Sequence, residues 1–349
     1  MKHKKKKKLF ILFILLLLIG AGVAAAFIFL NKDDTKKTIS DIIPIKEKEP
    51  EVKIVDLKSK SRPIAVMINN HNDARRVQSG LSEAYMVYEI IAEGGVTRYM
   101  ALFKDVNPER IGSVRSSRHY FLDYALENDA VYVHWGWSPQ AQSDIKTLKI
   151  NNINGLTYEG KYFYRYNPYS IAVEHTGFTD MEKIKSAMEK LNYRDTTDKG
   201  VLLDYSAKSI DLTKYGEVED ANTVTITYSG YVTNKYVYDE ENKVYNRFAN
   251  NKEQIDMNTN KQLTVKNIIV YEVANSTISG DYKNRQTIDN IGKGEGYYIS
   301  EGKASKITWE KTSREGKTIY KYENGDKLVV NDGNTFIQIM PTTGKLVIE

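Results

Sequence analysis

Seven short runs of β-branched and aromatic residues follow one another between Val224 and Met340. They are VTITY (Val224–Tyr228), YVYD (Tyr236–Asp239), LTVKNIIVYEV (Leu263–Val273), KITWEK (Lys306–Lys311), TIYKY (Thr318–Tyr322), KLVV (Lys327–Val330) and FIQIM (Phe336–Met340). Asn, Asp and Gly separate them. Runs this short, rich in residues that pack well on a pleated surface, suit strands and are too brief for stable helices. Ile307, Trp309 and Lys311 alternate with Thr308 and Glu310, the period of two that puts successive side chains on opposite faces. The pattern predicts an antiparallel β-rich domain over 198–349, entered through the turn formers of Asp195–Gly200. Glycines at 292, 294 and 296 read as a hairpin turn or bulge, since no strand-before, helix-after setting of a phosphate loop surrounds them.

Residues 62–197 carry a different signature, that of a mixed α/β domain. Pro63–Asn69 is a continuous apolar run of the kind that forms a buried strand. Tyr85–Ala92 and Thr97–Lys104 flank Glu93-Gly94-Gly95-Val96, and paired glycines fit the positive φ of a primed hairpin turn. A helix over Ser82–Glu93 competes for the first of these segments. Ile111–Arg115 reads as a short strand and Ala130–Gly136 as another. Apolar residues at 120, 121, 124 and 125 predict a helix over Ser117–Asn128, with Ser116 or Ser117 as its N-cap. Met181, Ile184, Met188 and Leu191 lie in line on a second, amphipathic helix. The fold class expected for the whole chain is α+β.

The N-terminus sets the location. Lys2 and Lys4–Lys8 form a basic tail over 1–8. Leu9–Leu30 then runs 22 residues without a charge, a span of roughly 33 Å as a helix against a hydrocarbon core of about 30 Å. The lysines orient such a segment with its tail in the cytoplasm and the rest of the chain outside. A cleaved signal peptide is the rival reading, through the small residues Ala24–Ala26, but its apolar region is ordinarily shorter, about 7–15 residues. Residues 31–61, rich in Lys, Asp and Glu, read as a flexible linker. Of 50 Lys and Arg against 45 Asp and Glu, six lysines belong to the tail, which leaves 44 against 45 and a net charge of −1 for the remainder. No basic nucleic-acid-binding face is indicated by bulk charge. The absence of cysteine excludes disulfides, thiolate nucleophiles and Cys-type zinc sites.

Several motifs resemble those of the YerB-like lipoprotein family, whose two parts are the DUF3048 domains of unknown function. They are RPIAVMINN (Arg62–Asn70), GLSEAYMVYE (Gly80–Glu89), EGGVTRYMALF (Glu93–Phe103), IGSVRSSR (Ile111–Arg118) and HWGWSPQA (His134–Ala141). In the second half they are VYNRF (Val244–Phe248), QIDMNTNKQLTVKNIIV (Gln254–Val270) and GKGEGYYISEGKASKITWEK (Gly292–Lys311). The resemblance implies the two-part layout and an envelope location, and it brings no established reaction. The family commonly carries a lipid-modified cysteine. This chain has none, so the resemblance implies an anchor supplied by the apolar segment. The family's Pro-His-Asn stretch stands here as Glu174-His175-Thr176.

Arg98, Arg115 and Arg118, with Ser116 at a helix start, are the candidate anion-binding residues. Guanidinium forks match phosphate and carboxylate, and a helix start adds free N–H groups and a positive dipole end. The plainer alternative pairs these arginines with Glu89, Glu93 and Asp123 as structural ion pairs. His134, His175, Glu89 and Glu93 are the candidate acid/base groups. All four histidines beyond the tail (His71, His119, His134 and His175) fall in the first half, without the spacing of a known metal motif. No metal site is expected from sequence, and the residues identify no particular cofactor. The 25 tyrosines fit sheet faces, and equally a carbohydrate- or peptide-binding surface. The expected role is a membrane-anchored envelope protein that binds a wall polymer, a lipid head group or another envelope protein. The alternative is a phosphotransferase or hydrolase acting on a phosphate-bearing envelope substrate. The order of elements around Asp105–Arg118 is similar in layout to the LytR-CpsA-Psr phosphotransferases.

Overall fold

The computed structural model describes residues 50–349. The basic tail, the apolar segment 9–30 and the linker as far as residue 49 lie outside the described residues. Among the described residues no helix is long and apolar enough to cross a membrane.

The fold is mostly β. Its centre is one eleven-stranded mixed sheet drawn from both halves of the chain. The first half supplies β1 (Ile64–Asn69), β2 (Met86–Ile91), β3 (Thr97–Phe103), β4 (Val131–His134) and β5 (Asn152–Asn154). The second supplies β6 (Val218–Asp220), β10 (Asn267–Val273), β11 (Gly292–Ser300), β12 (Lys303–Lys311), β13 (Ile319–Tyr322) and β14 (Thr335–Pro341). The order is β6-β12-β11-β10-β14-β2-β3-β1-β4-β5, with β13 on the outer side of β12. β1, β2, β3 and β14 are buried at every position, as their continuous apolar runs require of strands covered on both faces.

The predicted hairpin forms. β2 and β3 pair antiparallel, with Met86 opposite Leu102 and Ile91 opposite Thr97. Gly94 and Gly95 both take positive φ, 59° and 80°, which only glycine adopts at little cost. A helix over Ser82–Glu93 is thereby excluded, apart from one short turn at Leu81–Glu83. β4 and β5 are parallel to each other and to β1, and helix α2 (Pro139–Thr147) crosses between them. α1 (His119–Glu127) leads into β4, and α3 (Met181–Lys190) follows the first-half strands with Asp180 accepting from the Lys183 N–H as its N-cap.

A second, six-stranded sheet contains β7 (Thr223–Thr227), β8 (Thr233–Asp239), β9 (Val244–Ala249) and β15 (Lys345–Ile348). β7 to β9 alternate buried and half-buried positions, with one face on the core. Buried residues of both halves form one continuous apolar cluster that includes Tyr88, Leu102 and Val133 with Ile268, Ile299 and Phe336.

Several expectations need correction. The second half is not wholly antiparallel, because β14 runs parallel to both β10 and β2. The glycines at 292, 294 and 296 lie inside β11 rather than in a turn. A Cβ at Gly296 would fall 2.5 Å from the Val270 carbonyl oxygen, so close strand approach explains that residue. The strand expected over Ile111–Arg115 stops at Gly112. α1 is capped by neither serine: its N-cap is Arg118, with no side-chain cap bond. The end of the expected linker packs on the body, where Val55 is buried and the N–H groups of Lys53 and Ile54 donate to Asp332.

Candidate functional site

Three parallel strands, β1, β4 and β5, finish at the same edge of the central sheet. From β1 the chain passes through β2 to β3 on one side and later returns to β4 on the other. Ligands of open parallel sheets usually sit in a crevice beyond such carboxyl ends. The segment 113–117 is laid along this edge. Asn69 N–H donates to Ser113 O, Arg115 N–H to Met67 O, Trp135 N–H to Arg115 O and Ser117 N–H to Gly136 O. Backbone bonds to β1 and to the end of β4 thus hold Arg115 and Ser116 at this edge.

The other candidates reach the same edge by strand register. Arg98 is the second residue of β3, directly opposite Asn69, and Glu93 leads into the preceding turn. Arg118 Nε and Nη2 donate to the two oxygens of Glu93 at 2.9 and 2.8 Å. Arg98 Nη2 donates to the same carboxylate, and its Nη1 to Ser116 O at 2.7 Å. Arg115 Nη1 donates only to a backbone oxygen, that of Glu174, at 2.7 Å. Arg98 and Arg118 therefore share the Glu93 carboxylate, while the charge facing Arg115 comes first from Glu174 and then from Glu93. Burial, and after it the Arg118 charge, draws Arg98 down to about 9 despite Glu93. Burial alone would raise Glu93, but Arg98 and Arg118 outweigh it and hold the carboxyl below its ordinary value. The cluster keeps a surplus of positive charge.

The expected partners of these arginines are mostly elsewhere. Glu89 is fully buried and pairs with Arg247 Nη2 at 2.7 Å, with further bonds from Asn70, Thr97 and Asn234. Asp123 takes Arg314 and Asn290. Ser116 Oγ donates to Trp135 O at 3.0 Å, while Ser117 Oγ accepts from Tyr132 Oη at 2.9 Å.

Among the histidines, His134 is fully buried, with Nδ1 2.8 Å from Gly136 O and Nε2 3.1 Å from Asn152 Oδ1. Burial pushes its pKa down. Both ring nitrogens are engaged, so it has no proton-transfer position toward that edge. His175 is also buried, with Nδ1 2.8 Å from Asn69 Nδ2. Its ring stacks on His71, centroids 4.9 Å apart.

Sequence reasoning passed over His71, Asp73 and the wall made by Trp135. Arg165 lies 4.0 Å over the Trp135 ring, and a Cβ on Gly155 or Gly177 would fall 2.4 or 2.5 Å from it. His71 could have been found as the polar residue that follows the Asn69-Asn70 pair at the end of a fully buried strand.

Comparison with known proteins adds the family. The model of the protein of unknown function (DUF3048) N-terminal domain matches residues 51–194, and that of the C-terminal domain matches residues 224–337. A Bacillus subtilis (strain 168) protein named "Putative lipoprotein YerB" is 31% identical over 309 residues, covering 86% of this chain and 89% of the relative. The chain belongs to the DUF3048 family. The crystal structure of the YerB protein from Bacillus subtilis superposes on it with a TM-score of 0.72 at 28% identity, over 86% of this chain and 99% of that one. The candidate residues from Asn69 to His175 fall within the N-terminal DUF3048 match. The partners that the second half supplies to Glu89 and Asp123, Arg247, Asn234, Arg314 and Asn290, lie in the C-terminal match.

Proposed function

We propose that this DUF3048 protein is a membrane-anchored, extracytoplasmic envelope protein that binds an anionic group at the carboxyl edge of β1, β4 and β5. The observation that carries the reading is the charge imbalance of three guanidinium groups, Arg98, Arg115 and Arg118, against two nearby carboxylates, Glu93 and Glu174. A bound phosphate or carboxylate would offset that surplus and accept the free donors of Arg115. Arg98 and Arg118 act as the rigid, ion-paired floor, and Arg115 is the arm toward the ligand. The basic tail and apolar segment 9–30 support the anchor, and the name of the Bacillus relative agrees with an envelope setting. Wall polymers, lipid head groups and acidic envelope proteins all carry the required chemistry.

The catalytic alternative has less support. Glu89 is sealed by an arginine and three further donors, and His134 is bonded at both nitrogens. The deciding measurement is calorimetric titration of the full-length chain with pyrophosphate. Arg115→Ala should weaken binding roughly tenfold or more, the loss of one charge-assisted contact, while its melting temperature stays within about 2 °C. Equal affinity in both proteins, or no heat in the native one, counts against the site.

A further inference from the structure

The same edge carries a cluster that the anion reading does not use. His71 lies two residues past the end of β1 as the N-cap of the four-residue helix Asn72–Arg75, Asp73 stands in the first turn of that helix, and His175 ends the turn Val173–His175. One ligand atom from each lies within 4.8 Å of the other two. We propose that His71, Asp73 and His175 bind one divalent transition-metal ion of the zinc class, with its remaining positions open to water or to an anion.

The donor set selects the ion. Two imidazoles and one carboxylate suit zinc and its neighbours, whereas calcium and magnesium take oxygen ligands. Three protein ligands are also the number found where a zinc keeps an open position. Bonds of about 2.0–2.2 Å place neighbouring ligand atoms roughly 3.3 Å apart in a tetrahedron. His71 Nδ1 and Asp73 Oδ2 are already 3.6 Å apart.

The three residues differ in freedom. His175 is 3% exposed, and Asn69 lies against its Nδ1, which leaves Nε2 as the ligand atom. Ligation through Nε2 takes the neutral tautomer with its proton on Nδ1, so the Asn69 amide turns to present its oxygen there and gives up the bond that oxygen accepts from the His71 N–H. A partner on the second ring nitrogen is what a ligating imidazole ordinarily has. The His71 and His175 rings lie nearly parallel, 9° apart, and a metal sits in the plane of each ring it binds, so one must turn. His71 is the ring able to do so. Its side chain is 44% exposed, and the bond it accepts from the Asp73 N–H is long, at 3.3 Å. Asp73, 65% exposed, follows with little constraint. Arg115, bonded to the Glu174 carbonyl beside His175, opposes a cation there, and the Asp73 and Glu174 carboxylates offset it. A dication beside Arg115 leaves its open positions facing positive charge, which favours an anion as the remaining ligand. The metal site stands on its own ligands whether or not the arginine cluster binds pyrophosphate.

The test is equilibrium dialysis of the tag-free, full-length chain against zinc after EDTA stripping, with bound metal read by plasma mass spectrometry. Cobalt(II) serves as a coloured probe. The wild type should hold one equivalent that a large excess of magnesium does not displace. His71→Gln and Asp73→Asn should each weaken binding tenfold or more, with melting curves in EDTA unchanged because both side chains are at the surface. His3 of the basic tail is common to all variants and cancels. Bound cobalt should absorb with the intensity of a four-coordinate site, and His71→Gln should abolish that band. Sub-stoichiometric binding, or equal binding by the wild type and both variants, would overturn the proposal.

Discussion

Glu93 serves two buried guanidinium groups at once, so its removal leaves two unmatched charges. Its carboxyl is held below the ordinary value of 4.5, outweighing the opposing effect of burial. A carboxyl with a depressed folded pKa stabilises fully above its unfolded value, and that stabilisation disappears as pH falls through the folded one. The melting temperature should therefore drop on acidification below about pH 4.5, and Glu93→Gln should flatten that limb. At neutral pH the same substitution should cost about 3 kcal/mol in denaturant titration, the low end for breaking a buried pair, since Glu93 is 22% exposed. The candidate residues themselves were legible in sequence, because arginines beside a Gly-Gly turn and a strand end are local features. Their partners were not. Glu89 lies nine residues from Arg98 in sequence and takes Arg247 instead, 158 positions away.

At the scale of elements, local pattern decided most of what formed. The β2–β3 hairpin, α3 and the seven second-half strands all arise near where their periodicity places them. The start of α1 shows where such reasoning stops. Ser116 and Ser117 have the chemistry of an N-cap, but Trp135 O and Tyr132 Oη claim their hydroxyls. β11 shows it again. Glycines at 292, 294 and 296 look like a turn because nothing local reveals that Val270 and Tyr271 press against the strand. Gly296→Ala should lower stability by about 1–3 kcal/mol, the range for overpacking, whereas Gly292→Ala, with open space around its Cβ position, should change it by less than about 0.5 kcal/mol. Urea melts of the two variants check the contrast.

Across the whole molecule, the two family matches share one sheet and one core. β14, near the C-terminus, is inserted between β10 and β2, with Tyr88 opposite Ile337. Ion pairs cross the same seam: Glu89 with Arg247 and Glu127 with Lys311 at 2.9 Å, both buried, and Asp123 with the partly exposed Arg314. In each the acid comes from the first half and the base from the second. Separate expression of 62–197 and 198–349 should therefore give chains without native circular dichroism, since each would expose a sheet edge and bury unpaired charge. The intact protein should unfold in one cooperative transition; two resolved calorimetric peaks would show instead that the halves are independent. Deletion of residues 335–349 should abolish folding, because it empties the middle of the sheet.

The sequence by itself determined the strand-rich character, the hairpin, the amphipathic helix and the family, because side-chain periodicity and turn chemistry act over a few residues. It also brought Arg98, Arg115 and Arg118 into view. Only the tertiary structure decided that β14 runs parallel between the halves, that the Glu93 carboxylate takes both Arg98 and Arg118, and that His71, Asp73 and His175 meet at one edge. Those outcomes depend on which distant segments bury each other. A buried charge takes the partner that register brings within 3 Å, whatever the separation along the chain.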